Sequence, residues 1–488
     1  MVRVPLTRGR IANQRLSRTD TAFVAAETPA WQMHNGVLAV FDGPDGADRL
    51  TPDAVRQLVT GRLAHLGLFR RRLVEMPGRL GRPIWEDTAH LDVDAHLRSA
   101  TVDAPGGLRE LGQVVGEVFA SPLDRHRPLW ELWRLDGLAG GGVALLLKIH
   151  HACIDGLRGA EYATLIFDID PAAPLERPDL RPDTGAGHVG VVRRLAASGV
   201  GVATTPLRAA RVGVDVLRAT PHLARFSLSG ARRSTVLPFE APTGPFNATL
   251  TSRRRFAASS IAMEDVQRVR TAFNVSVNDV VLAVCAGALR RYLLDHAALP
   301  DRSLVAQVPM GLDREMRRAD PAVIPGNVLS AMGAAMPVHL DDPVARLRAV
   351  HASTASTRAF QRALGDEFLA DVFGVPPPAV LSALVRTYLR LGLDRRLPPI
   401  FNAIVSNVPG PPVPLYCNGA HLTHVHLLGP LLVGSGLNVT VLSYDGAIDV
   451  GIVVCPDVVN DPWLIAEGFA PALAELVDAA GGAAGVPV

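Results

Sequence analysis

Lysine is nearly absent from this sequence: Lys148 is the only one, and arginine supplies the rest of the 49 basic residues. That bias reflects genome composition rather than chemistry. Against 47 acidic residues the formal net charge is only +2, so no global field recruits nucleic acid. Cysteine is scarce too. Cys153, Cys285, Cys417 and Cys455 form no CxxC and no Cys/His ligand spacing, which argues against a disulfide framework or structural zinc. No apolar run reaches the roughly 18–20 residues of a spanning helix. The basic N-terminus, MVRVPLTRGRIANQR, lacks the apolar core of a signal peptide. The expectation is a cytoplasmic protein, soluble or peripherally bound to a membrane or lipid inclusion.

What is present is ample for a buried core. The chain has 488 residues, 48 % apolar and 20 % charged, which excludes a disordered, collagenous or small disulfide-stapled protein. The pattern is α+β throughout. Thr51–Phe69 has helical apolar spacing behind a Thr N-cap, and Gly107–Phe119 repeats it. Gly142–Ile149 is a continuous apolar run suited to a buried strand. Met263–Phe273 and Asn278–Leu294 read as helices, and Leu304–Pro309 and Ile404–Asn407 as strands. Tyr444-Asp445-Gly446 joins two alternating runs as a hairpin turn. Between 184 and 245 acids thin out and prolines punctuate an Arg-rich stretch, which divides the chain into halves 1–183 and 246–488 around a helical connector.

The densest polar cluster follows the predicted core strand: His150-His151-Ala152-Cys153-Ile154-Asp155-Gly156. A neutral imidazole is the natural general base for a hydroxyl nucleophile at neutral pH. Asp155, four residues on, can orient the turn or the ring, and Gly156 lets the turn close. On an extended strand the two histidines point to opposite faces, so at most one meets a given substrate. Two other readings stand beside this one: metal ligation, for which no third ligand lies at a supporting spacing, and satisfied core histidines.

HHxxxDG resembles the active-site motif of the CoA-dependent acyltransferase superfamily, which includes chloramphenicol acetyltransferase and peptide-synthetase condensation domains. Further segments are similar to the bacterial wax ester synthase/diacylglycerol acyltransferases. They are Asp20-Thr21-Ala22-Phe23, Glu27-Thr28-Pro29, Met33-His34-Asn35-Gly36, Pro128-Leu129-Trp130, Asn278-Asp279, Ser406-Asn407-Val408-Pro409-Gly410-Pro411 and Gly436-Leu437-Asn438-Val439-Thr440. The similarity runs from about Leu16 to Trp463. Two blocks depart from the family pattern. Its LNxPIGxxRRF is here FNATLTSRRRF, from Phe246 to Phe256, and its VPVSLR is VPMGLDR, from Val308 to Arg314.

The resemblance implies two chloramphenicol-acetyltransferase-like halves with an active-site tunnel at their interface. It implies transfer of a long-chain acyl group from acyl-CoA, as co-substrate, to diacylglycerol or a long-chain alcohol, with no bound cofactor, no metal and no acyl-enzyme. His151 is then the base, His150 a wall or supporting residue, and Asp155 a holder of the loop. Asn278 stabilises the oxyanion and Asp279 is structural; by composition alone either is an ordinary helix N-cap. The alternatives are a carrier-protein-dependent amide synthase and a catalytically idle lipid-binding protein. No GxSxG elbow and no GxxxxGKS loop is present, which argues against an α/β-hydrolase and a P-loop.

Two more features have competing readings. His421, His424 and His426 alternate, as a polar surface strand does more often than a ligand set. In the connector, Arg208, Arg211, Arg218 and Arg225 share a helical stripe that suits either anionic lipid or plain solvent.

Overall fold

The computed structural model describes residues 15–62, 67–88, 91–153, 166–175, 236, 240–309, 331–364 and 376–483. Asp155, Gly156, the Arg stripe of the connector and the segment from Met310 to Arg314 lie outside them. In chain order the strands are β1 (His34–Phe41), β2 (Arg71–Val74), β3 (Ile84–Asp87), β4 (Leu97–Thr101), β5 (Trp130–Asp136), β6 (Val143–His150), β7 (Arg255–Ala262) and β8 (Leu304–Pro309). Then come β9 (Ala331–Met336), β10 (Ala403–Val408), β11 (Tyr416–Cys417), β12 (Ala420–His421), β13 (His424–Leu428), β14 (Leu437–Tyr444) and β15 (Ala447–Val454).

They form two principal sheets in a mixed α+β architecture. The first has the order β13-β1-β6-β5-β4 and the second β7-β15-β14-β10-β8-β9, while β2–β3 and β11–β12 are small hairpins. The first sheet is completed from the far end of the chain, since β13 pairs antiparallel with β1. Central strand β6 is buried at all eight positions because both its faces are covered. Val143, Leu145, Leu147 and Ile149 enter one apolar cluster, and Ala144 and Leu146 another.

The Leu108–Ala120 helix lies on that second face and also packs on β7 of the other sheet. Glycines at one-turn spacing permit the approach. A Cβ at Gly112 would sit 2.7 Å from the Phe256 carbonyl oxygen, and one at Gly116 would sit 2.8 Å from that of Arg254. The two sheet regions therefore share a close-packed seam. In the second region the Val277–Asp295 helix is apolar all round and correspondingly buried, against the Pro343–Leu364 and Phe469–Ala483 helices.

Most predicted elements are present, with some boundary shifts. Thr51 is the N-cap expected, accepting from the Ala54 amide, but its helix is Pro52–Gly61 and does not run on to Phe69. Tyr444 pairs with Ala447, so Asp445-Gly446 is a two-residue turn with positive φ at both positions. The four cysteines are buried and free. Among the described residues no single helix is long and apolar enough to cross a membrane.

Candidate active site

Strand β6 ends at His150, and His151 opens a short 3-10 turn, His151–Cys153. The difference between the two rings thus comes from the strand ending between them, not from strand alternation as expected. The turn is fixed by backbone bonds: the His150 amide donates to Leu129 O at 3.0 Å and the His151 amide to Met33 O at 2.7 Å. The Ala152 amide donates to His150 Nδ1 at 3.0 Å. That bond engages the Nδ1 lone pair and leaves Nε2 as the ring's N–H, 3.6 Å from Glu27 Oε2 and beyond hydrogen-bond distance. His150 is 2 % exposed, whereas His151 is half-buried with its ring 4.6 Å from that of Phe23.

Glu27 is the hub of the cluster. Its carboxylate accepts the Met33 amide at 3.2 Å, pairs with Arg125, and faces His34 Nε2 at 3.8 Å. Burial alone would raise its pKa, but the His150 and Arg125 contacts outweigh burial and hold it well below the usual carboxylate range. His34 lies directly across from His150 in the β1–β6 register. Burial, with Lys148 nearby, pushes its pKa down to about 3, so the ring is neutral. Lys148 is wholly buried and donates to Val118 O at 2.9 Å, Ser121 O at 2.5 Å and Ser121 Oγ at 2.8 Å. A cation there complements the C-terminal end of the Leu108–Ala120 helix. Burial lowers its pKa to about 8, opposed by Glu131 at 3.6 Å.

Each N-terminal motif has a physical task in this cluster. Ser17 caps the Arg18–Ala26 helix by accepting from the Asp20 amide, and that helix carries Phe23 to His151. The turn after Glu27 is clasped from the other region: Trp31 Nε1 donates to Leu431 O at 2.6 Å, and Arg254 Nη2 to Ala30 O at 2.7 Å. In Pro128-Leu129-Trp130 the Leu129 carbonyl holds the His150 amide. Trp130 is buried, donating from Nε1 to Phe69 O at 2.9 Å and stacking on His96 at 4.3 Å. Burial pushes the Cys153 thiol far up and that of Cys285 up to about 12, so neither supplies a thiolate nucleophile near neutral pH.

The Asn278-Asp279 pair is organised differently from either N-cap expectation. The N-cap is Ser276, and Asp279 closes a capping box by accepting the Ser276 amide at 3.0 Å. Asp279 also accepts from Thr354 Oγ1 at 2.7 Å and meets His351 Nδ1 at 2.9 Å, fastening this helix to Pro343–Leu364. Asn278 is half-buried in the first turn, and among the described residues no hydrogen bond ties it to the histidine pair.

The other blocks form a frame in the second sheet. Ser406 and Asn407 lie on β10 beside Thr440 and Val441 of β14. Asn438 donates to Pro430 O at 2.8 Å and accepts from Thr440 Oγ1 at 2.8 Å. In the divergent FNATL block Asn247 still donates, to Phe401 O at 2.9 Å and Gly434 O at 2.8 Å, and accepts from Asn402 at 2.6 Å. Sequence reading gave no role to Glu27, His34, Arg125, Lys148 or Asn402. The available signal was Lys148: a lone lysine inside an apolar strand needs buried acceptors.

Two family models match most of the chain. Residues 16–281 match the wax ester synthase/diacylglycerol acyltransferase catalytic domain, and residues 325–477 match the WS/DGAT C-terminal domain. The chain is 37 % identical over 479 residues to the Mycobacterium tuberculosis protein named "Putative diacyglycerol O-acyltransferase MT1809", covering 97 % of this chain and 92 % of that one. It is 32 % identical over 478 residues to a second from that organism, "Putative diacyglycerol O-acyltransferase Rv0221", covering 96 % and 97 %. A solved wax ester synthase/diacylglycerol acyltransferase from Marinobacter aquaeolei VT8 superposes with a TM-score of 0.66 at 28 % identity, over 96 % of this chain and all of that one. The first condensation domain of the CDA synthetase superposes with a TM-score of 0.52 at 16 % identity, over 96 % and 97 %, a likeness of fold alone. The chain belongs to the wax ester synthase/diacylglycerol acyltransferase family and is an O-acyltransferase of that family.

Proposed function

We propose that the protein transfers a long-chain acyl group from acyl-CoA to diacylglycerol, and to a long-chain alcohol where one is offered, with His151 as the general base. The observation that carries the base assignment is the state of its neighbour. His150 has its Nδ1 lone pair engaged by the Ala152 amide and its Nε2–H turned to Glu27, so it has no nitrogen left to accept a substrate proton. His151, on the turn after the strand and half-buried against Phe23, is the other member of the pair and the proposed base.

His151 takes the acceptor hydroxyl proton as the oxygen attacks the thioester carbonyl. The tetrahedral oxyanion collapses, the C–S bond breaks, and CoA leaves as the thiol with the proton returned by His151. Asn278 is the proposed oxyanion donor, a role worth about 2.7–4 kcal/mol when preorganised. The proposed setting is a tunnel between two chloramphenicol-acetyltransferase-like halves, with Asp155 holding the loop after His151. Diacylglycerol as acceptor is supported by the names of the mycobacterial relatives.

Lipid substrates require a lipid surface. Support for peripheral docking comes from Val380, Leu384, Leu391, Leu397 and Ile400, each 44–57 % exposed, interleaved with exposed Arg386, Arg390, Arg395 and Arg396. The helix bearing the first of these, Pro378–Arg390, packs on the Arg18–Ala26 helix through Ser382 Oγ and Ala25 O, next to the histidine pair.

Incubation with labelled palmitoyl-CoA and either diolein or hexadecanol tests the reading. Labelled triacylglycerol is expected, with wax ester as a second product. No ester from either acceptor would favour the idle lipid-binding alternative.

A further inference from the structure

We propose that His424, His426 and Asp449 form a binding site for a divalent transition cation of the zinc class, stapling the two sheets together where β13 crosses β15. The expectation of a polar surface strand does not describe His426, which is 2 % exposed. His424 and His426 are two apart on β13 and so share a face. Their rings stack at 5.8 Å, 12° from parallel. Asp449 comes from β15, a strand of the other sheet, and is fully buried. One ligand atom from each of the three residues lies within 4.8 Å of those of the other two.

The seam is rigid enough to hold that geometry. One Asp449 oxygen, Oδ2, accepts the Val425 amide at 2.7 Å, and the other meets His424 Nδ1 at 3.0 Å. A Cβ at Gly451 would fall against the Leu427 carbonyl oxygen, so the strands cross in backbone contact there. The independent sign of a missing ligand is on His426. Its Nδ1 is buried and has no hydrogen-bond partner among the described residues. A buried polar nitrogen left unpaired is costly, and in the proposed site Nδ1 is the atom that ligates the cation.

The donor set selects the class of ion. Two imidazole nitrogens and one carboxylate oxygen suit zinc and its neighbours, whereas calcium and magnesium prefer more ligands, all oxygen. The half-exposed His424 opens the fourth position to solvent. The site is separate from the histidine pair. His424 and His426 lie opposite Val40 and Leu38 on β1, while the His34 end of β1 adjoins His150. Four to six strand residues put the two places roughly 13–20 Å apart.

The test is titration of the untagged, chelator-stripped full chain with Co²⁺, followed by displacement with Zn²⁺. One Co²⁺ per chain is expected, with visible d–d absorption, together with a Zn²⁺-dependent rise in Tm. His424→Gln alters a half-exposed side chain and should leave the fold intact while weakening binding at least tenfold and abolishing the absorption. His421→Gln should change neither. Wild-type protein without saturable binding, or His424→Gln binding like wild type, would overturn the proposal.

Discussion

The Ala152 amide and His150 Nδ1 are 3.0 Å apart, and this bond sets the His150 ring so that Nε2–H faces Glu27. Glu27 in turn is paired with Arg125. Glu27→Ala should therefore loosen the turn that begins at His151, costing about 1–3 kcal/mol as buried donors lose their acceptor. Chemical denaturation reads that cost directly. Because the folded pKa of Glu27 is depressed, its contribution is present above the ordinary carboxylate pKa and is lost as pH falls below it. A variant with wild-type stability at pH 7 would remove Glu27 from this role.

His34 gives a second pH signature at higher pH. Its folded pKa is pushed down to about 3 from 6.5, so it stays neutral while the unfolded chain gains a proton. Its contribution to stability is complete above about pH 6.5 and declines as pH falls toward 3. The Tm of wild type should fall over that window, and His34→Gln should flatten part of the decline. Equal slopes for the two proteins would contradict the neutral buried ring.

Asp279 should behave as a fastener rather than a participant in the reaction. Asp279→Ala removes the capping box and the Thr354 and His351 contacts, and should cost about 2–3 kcal/mol with kcat retained in the folded fraction. Asn278→Ala should do the reverse: little change in Tm, and a fall in kcat larger than any rise in KM for acyl-CoA. Measuring both variants for melting and turnover separates adjacent residues with opposite assignments.

For the lipid surface, Leu384→Asp with Leu391→Asp places charge on two of the most exposed leucines. The double variant should sediment less with anionic vesicles while turning over detergent-dispersed substrate normally. Replacing Arg386 and Arg390 with Gln should weaken vesicle binding by about 1 kcal/mol per residue and reduce its salt dependence. Unchanged co-sedimentation would assign this face to solvent.

Local chemistry was readable in the sequence where one segment suffices. Leu304–Pro309 and Met263–Phe273 have the predicted bounds, because periodicity and flanking turn residues are local signals. The partners of the histidine pair were not readable. Glu27 and His34 reach His150 from a turn and a neighbouring strand, Arg125 reaches Glu27 from a loop, and nothing in their own surroundings declares them polar partners. The same limit hid the N-cap. Asn278 and Asp279 are good caps by type, yet Ser276 holds the position because Asp279 is drawn inward by Thr354 and His351, more than 70 residues away. The crossing of β13 into the first sheet likewise depends on a contact between distant segments.

The most direct measurement is a comparison of kcat for His151→Ala and His150→Ala, each shown by circular dichroism and melting to be folded. The account predicts that His151→Ala loses about 10²–10⁴-fold, the contribution of a positioned base, and that His150→Ala loses distinctly less. Equal losses, or the larger loss at His150, would contradict the assignment of His151 as the base.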